Sequence, residues 1–158
     1  MIKLSMIARG LFTESKKLRI FDFDDTLVKT NSFIYVTHGD GKKSKLTPGQ
    51  YAVYTEKPGD EMDYSDFQNV KEPTEIKKIT SVLRRIMRSS GGEGVYILTA
   101  RSVYKPIKQY LKDIGVNSNK IYVVALASAD PKDKSNWIED KIDNDGYDDV
   151  YFADDSEK

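Results

Sequence analysis

Residues 18–27 read Leu18-Arg19-Ile20-Phe21-Asp22-Phe23-Asp24-Asp25-Thr26-Leu27. Leu18, Ile20, Phe21 and Phe23 mark Leu18–Phe23 as a short buried strand. Three carboxylates, Asp22, Asp24 and Asp25, crowd its end. Carboxylates this close repel one another and resist desolvation, so something must offset that cost. A divalent cation is the natural candidate.

The pattern downstream of this strand decides its context. Between Thr26 and Pro73 the chain mixes β-type runs, Phe33–Thr37 and Tyr51–Tyr54, with turn signals at Gly39-Asp40-Gly41, Pro48-Gly49 and Pro58-Gly59. We read one or two hairpins and a loop there, a small insert over 29–72, with no separate domain. From Pro73 the period changes. Ile76, Ile79, Leu83, Ile86 and Met87 recur at helical spacing until Gly91-Gly92. Val95–Leu98 is a second apolar strand. Ser102 is expected to cap a helix carrying Val103, Ile107, Leu111 and Ile114, with Pro106 in its first turn and Gly115 past its end. Residues 120–127 make a third strand, 134–142 a short helix and 149–155 a fourth strand. Strands and helices alternating in this way predict an α/β domain, its parallel sheet covered by helices on both faces.

Composition narrows the function classes. The 158 residues suffice for one domain with a real core. Lys plus Arg equals Asp plus Glu at 25 each, so whole-chain charge favours neither nucleic acid nor an acidic partner. Without cysteine there is no thiolate nucleophile and no Cys-based zinc site. His38 is the single histidine, which argues against His-rich metal sites and Ser-His-Asp machinery. No apolar run approaches the ~20 residues that cross a bilayer. In the basic N-terminus, Ile2 or Leu4, Ile7 and Leu11 recur at helical spacing. We read a short docking helix there, in preference to a transit peptide, and place the protein in the cytoplasm.

In a parallel sheet the functional crevice opens at the carboxyl ends of the strands, where strand order reverses. Polar groups gather at those ends: Asp22 and Asp24 after the first strand, Thr99 and Arg101 after the second, Asp154 and Asp155 after the fourth. Lys134, before the third helix, can lean into the same crevice. Taken singly, an Asp there is usually a turn residue and a Thr usually a cap. Those readings do not explain why three of four buried strands deliver such groups to one edge.

On these residues the chain resembles the haloacid dehalogenase-like (HAD) superfamily. The family's Asp-x-Asp-x-Thr motif stands here as Asp22-Phe23-Asp24-Asp25-Thr26. Its Thr or Ser after an apolar strand is matched by Thr99, its Lys by Lys134, and its acidic pair by Asp154-Asp155. The match runs over roughly residues 18–155. It implies a Rossmann-like fold and a Mg²⁺-dependent phosphatase. Asp22 would be the nucleophile that forms an aspartyl-phosphate, and Asp24 would protonate the leaving oxygen and then activate water. Thr99 and Lys134 would hold the phosphoryl oxygens. Asp22, Asp154 and the carbonyl of Asp24 would ligate Mg²⁺, with Asp155 a further or water-mediated ligand. Family members often carry Gly where Asp25 sits, and Asp tolerates unusual backbone angles. Relatives also continue past the fourth motif. Ser156 reads as the cap of a further helix, so a shortened chain is expected.

The 29–72 insert is too short for a large helical cap, so the site is expected to be fairly open, to small metabolites or to phosphate on a macromolecule such as a nucleic-acid end. Arg101 is the additional residue expected to touch substrate, a surface salt bridge being the alternative. Arg84, Arg85 and Arg88 with Lys77 and Lys78 are read as the solvated side of an amphipathic helix within 73–90, not as a phosphate-backbone track. His38 is assigned to a hairpin tip. The acidic run at 143–149 fails calcium-loop spacing. A dehalogenase would not need Asp24 and the acidic pair, and a receiver domain would carry its Asp after the third strand. The competing class is a non-catalytic phosphate- or partner-binding domain.

Overall fold

The computed structural model describes residues 15–128 and 130–154. The expected N-terminal helix, Asp155 and Ser156 lie outside the described residues. The elements run β1 (Lys17–Phe21), β2 (Val28–Lys29), β3 (Ile34–Thr37), β4 (Lys43–Leu46), α1 (Pro48–Ala52), β5 (Glu61–Asp63), β6 (Thr74–Glu75), α2 (Lys77–Ser90), β7 (Val95–Thr99), α3 (Lys105–Asp113), β8 (Tyr122–Ala125), α4 (Pro131–Asp145) and β9 (Asp149–Ala153). A 3₁₀ turn, Ser65–Gln68, follows β5.

Four strands form one parallel sheet in the order β8-β7-β1-β9. Successive side chains alternate between its faces. Phe21, Val95 and Ile97 face α2 and α3, where Leu83, Ile107 and Leu111 complete one core. Leu18, Ile20 and Leu98 face the other way and meet Trp137 and Ile138 of α4. The central strand thus buries both faces, which is why its sequence is a nearly continuous apolar run. Each such fully buried side chain is worth about 1.5–3 kcal/mol relative to exposure. Gly94 sets the approach of β7 to β1. It sits at φ +73°, and a Cβ there would lie 2.2 Å from the Lys17 carbonyl oxygen.

The insert is built on a two-residue stem, β2 paired antiparallel with β6. Beyond the stem, β4, β3 and β5 form a three-stranded antiparallel sheet. His38 stands at the β3–β4 hairpin: its N–H donates to the Lys42 carbonyl at 2.8 Å. Its ring Nδ1 lies 2.8 Å from Asp60 Oδ1 and its Nε2 2.8 Å from Ser44 Oγ. Asp60 also accepts from the Tyr54 hydroxyl at 2.5 Å and the Lys57 N–H at 2.9 Å. The Tyr54 hydroxyl first, then the Lys57 amide, holds the Asp60 carboxyl down at about 2. Reciprocally, the bond to Asp60, then burial, pushes Tyr54 up to about 12.

Four boundaries differ from the sequence reading, each for a local reason. The β-type run Tyr51–Tyr54 is not a strand: Tyr51 and Ala52 belong to α1. Thr47 and Gln50 form a reciprocal capping box and Pro48 opens the first turn, overriding the aromatic propensity. The second helix begins at Lys77, because Thr74-Glu75 is taken by the stem. Ser102 does not cap α3. That helix starts after Tyr104 with no side-chain cap, its start set by Pro106. The fourth helix starts at Pro131 behind Asp130, whose carboxylate accepts the Lys132 N–H at 2.9 Å. Lys134 therefore sits inside the first turn of α4, not before the helix. Ile142, expected on the buried face of α4, is 39% exposed.

Lys77, Lys78, Arg85 and Arg88 are solvated, in line with the reading of α2. Arg84 is the exception: it bonds Glu75 at 2.7 Å and the Ile114 carbonyl at 2.8 Å, joining the stem to the end of α3. Among the described residues no helix is long and apolar enough to cross a membrane.

Candidate active site

Strand order reverses between β1 and β9, so the crevice of this sheet lies beyond their carboxyl ends. Phe21 and Ala153 are register partners, and the Asp22 N–H donates to the Ala153 carbonyl at 2.9 Å. The residues that follow, Asp22 and Asp154, therefore leave neighbouring strands side by side. Both line a cavity of about 400 Å³, together with Asp24, Asp25, Arg101 and Lys134.

The turn after β1 is folded around a single acceptor. The Phe23 carbonyl receives the N–H groups of Thr26, Leu27 and Val28 at 3.3, 3.0 and 3.4 Å. Closing this turn puts Asp25 at φ +62°, the region where Asp is among the few tolerated side chains. Asp22 is only 8% exposed. Its Oδ1 accepts from the Phe23 N–H at 2.8 Å and lies 3.0 Å from Lys134 Nζ. An ammonium at this distance offsets carboxylate repulsion directly.

Arg101 lines the cavity and is held from several sides. It is 2% exposed. Its Nε and Nη2 grip the two oxygens of Asp24 at 2.9 and 2.7 Å. Nη1 donates to the carbonyls of Phe67 and Asn69 at 3.3 and 3.0 Å, and Nη2 reaches Thr30 Oγ1 at 3.5 Å. The guanidinium also lies 4.6 Å from the Phe67 ring centroid and 5.4 Å from that of Phe23. A guanidinium has five N–H donors, and these contacts use all of them. It is not a surface salt bridge: Arg101 is a buried tie between the motif loop and the insert that also lines the cavity.

Thr99 is fully buried and its hydroxyl accepts the Arg101 N–H at 3.1 Å, so it braces the loop that carries Arg101. It lies beneath the cavity wall and is absent from the lining. Ala127 lines the cavity at φ +55°.

The insert shapes the site more than its length suggests. Pro48, Gly49, Tyr51, Ala52, Tyr64 and Phe67 make one wall, so the crevice has an aromatic side lent by the insert. The sequence signal for this wall was weak, because Tyr51 and Tyr64 belong to a segment without a clear period.

Asp22 and Asp154 bring two carboxylates to one cavity, a number that could serve a Mg²⁺ ion keeping several waters. They do not form a cage. Among the described residues no group of three or more Asp, Glu or His side chains is placed to hold a metal by itself. No family model, curated protein or solved structure matches this chain.

Proposed function

We propose that this protein is a Mg²⁺-dependent phosphatase of the HAD type, built on a Rossmann-like sheet, that hydrolyses phosphate monoesters through an aspartyl-phosphate on Asp22. The observation that carries the reading is the Asp22–Lys134 pair, a buried carboxylate 3.0 Å from a half-buried ammonium, at the switch point of a parallel sheet with Asp154 alongside.

The roles follow from position. Asp22 attacks phosphorus, forming an O–P bond as the bond to the leaving alkoxide breaks. Lys134, in the first turn of α4, neutralises charge on Asp22 and on the transferring phosphoryl oxygens. Asp24, two residues on, gives a proton to the leaving oxygen and takes one from the water that attacks phosphorus, releasing phosphate and regenerating Asp22. Arg101 fixes the plane of that carboxylate, and a carboxylate holding two donors still has lone pairs to spare. Asp22 and Asp154 would hold Mg²⁺, with Asp155 and the Asp24 carbonyl as further ligands. When bound, the ion supplies charge neutralisation for in-line transfer.

The alternative, a non-catalytic phosphate-binding domain, draws on one observation: both oxygens of Asp24 are already engaged by Arg101. One experiment separates the two. Phosphate release from a panel of monoesters is measured with Mg²⁺, with EDTA, and with Mg²⁺ restored, for the parent and for Asp22→Asn. We expect release only with Mg²⁺, and loss of it in Asp22→Asn with the fold retained. Release within tenfold of the parent would rule Asp22 out as nucleophile, because tenfold is only about 1.4 kcal/mol of barrier. Phosphate binding without turnover in the parent would favour the alternative.

A further inference from the structure

We infer that the cavity selects phosphate monoesters whose alcohol portion carries a planar aromatic ring, seated against Tyr51 and Tyr64. The phosphate end of this inference rests on the phosphatase reading; the ring end stands on the insert.

The cavity is chemically two-sided. Asp22, Asp154 and Lys134 lie on the sheet side, and the insert side is aromatic and apolar. Tyr51 and Tyr64 are locked edge to face, with ring centroids 5.7 Å apart at 75°. Their hydroxyls bond each other at 2.8 Å. The pair has thus met its own polar demand and offers ring surface to a ligand. Tyr64 keeps 40% of its surface exposed. Aromatic pairs settle in edge-to-face or offset-stacked contact, and the cavity-lining rings of Tyr51 and Tyr64 leave surface on which a further ring can do the same.

The wall is also held in place before any ligand arrives. The capping box fixes α1, which carries Tyr51. Arg101 bonds the carbonyls of Phe67 and Asn69, just past Tyr64. A preformed wall loses little conformational freedom on binding. The ligand is a small ester, not a polyanion. The lining cations are Arg101 and Lys134, each facing an Asp, and the insert wall contributes no charge with which to track a phosphate backbone. A cavity of about 400 Å³ suits a small molecule.

The test measures binding and turnover separately. Affinities of phenyl phosphate, adenosine 5′-monophosphate and glycerol 3-phosphate are determined calorimetrically with Mg²⁺ on Asp22→Asn, alone and combined with Tyr51→Leu or Tyr64→Leu. Turnover of the same esters is followed on the parent and on the two single Tyr variants. We expect at least one ring-bearing ester to bind tenfold or more tightly than glycerol 3-phosphate. Which one leads tells whether the ring sits on the ester oxygen or one sugar away. Both Tyr variants should cut that preference below threefold, acting on KM more than on kcat. Equal affinities for the three esters, or a preference that survives both substitutions, would overturn the inference. Equal turnover of all three defeats it while leaving the phosphatase reading intact. A ring preference in binding with no turnover of any ester supports the ring site and defeats the phosphatase reading.

Discussion

At the scale of the residue, the choice among three lysines in the α4 region shows how position assigns chemistry. Lys134 reaches Asp22 from the first helical turn. Lys141 lies at the far end of the helix, bonded to Asp145 at 2.9 Å. Lys132 is exposed at the mouth of α4. Lys134→Ala should therefore cut turnover by two or more orders of magnitude, roughly 3 kcal/mol of barrier. Lys132→Ala and Lys141→Ala should stay near the parent. Steady-state kinetics on the three variants decides this, and a crippled Lys132→Ala would contradict the placement. This lysine was legible in the sequence, because the helix after an apolar strand starts at the sheet's carboxyl edge, although Lys134 lies in its first turn and not before it. The partner of Arg101 was not. A fork that closes on an Asp 77 residues away depends on the pairing of β1 with β7, which no local pattern records.

At the scale of the element, Arg101 joins pieces that hydrophobic burial leaves separate. It binds the loop after β1, the stem region at Thr30 and the 3₁₀ turn of the insert. Removing one partner of a buried ion pair strands the other, so Arg101→Ala should lower unfolding free energy by about 3–5 kcal/mol. The double variant Arg101→Ala with Asp24→Ala should recover part of that loss, since no charge is left uncompensated. Denaturant titration of the two singles and the double measures it. A loss below 1 kcal/mol for Arg101→Ala would mean that the tie is not structural. The same scale shows why strands were read more accurately than helix starts. β1 and β7 are buried enough that apolar runs mark them, and β8, half-buried at the sheet edge, still carries one. The starts of α1, α3 and α4 depend on Pro48, Pro106 and Pro131, and on which neighbour caps them. Ser102 and Thr47 are equally plausible caps in sequence, yet only Thr47 finds its amide.

At the scale of the whole molecule, the insert carries a buried hydrogen-bond network around Asp60, outside the parallel-sheet core, and the two should respond differently to pH. The insert's interior bonds run through Asp60, whose side chain is 1% exposed. Its carboxyl is depressed from 3.8 to about 2, so the stability it supplies is present above pH 3.8 and is lost as pH falls toward 2. Tyr54 is raised from 10.0 to about 12, so its contribution is present below pH 10 and is lost as pH climbs toward 12. Unfolding curves across pH should show a shoulder on each flank. Tyr54→Phe should abolish the alkaline shoulder and shrink the acid one, because the Tyr54–Asp60 bond is the largest cause of both shifts while the Lys57 amide and His38 still hold Asp60 down. Unchanged flanks in Tyr54→Phe would sever that link. The parallel core was legible from its apolar periodicity. The aromatic wall that the insert lends to the site was not, because its residues meet only after the insert's antiparallel sheet has formed.

The central claim is that Asp22 carries a phosphoryl group during turnover, and trapping that group tests it most directly. The parent is mixed with phenyl phosphate and Mg²⁺, quenched in acid within the first turnovers, digested and analysed by mass spectrometry. The account predicts a phosphorylated peptide containing Asp22, absent when EDTA is present and absent in Asp22→Asn. Steady phosphate release with no adduct on Asp22, or an adduct on another residue, would contradict it.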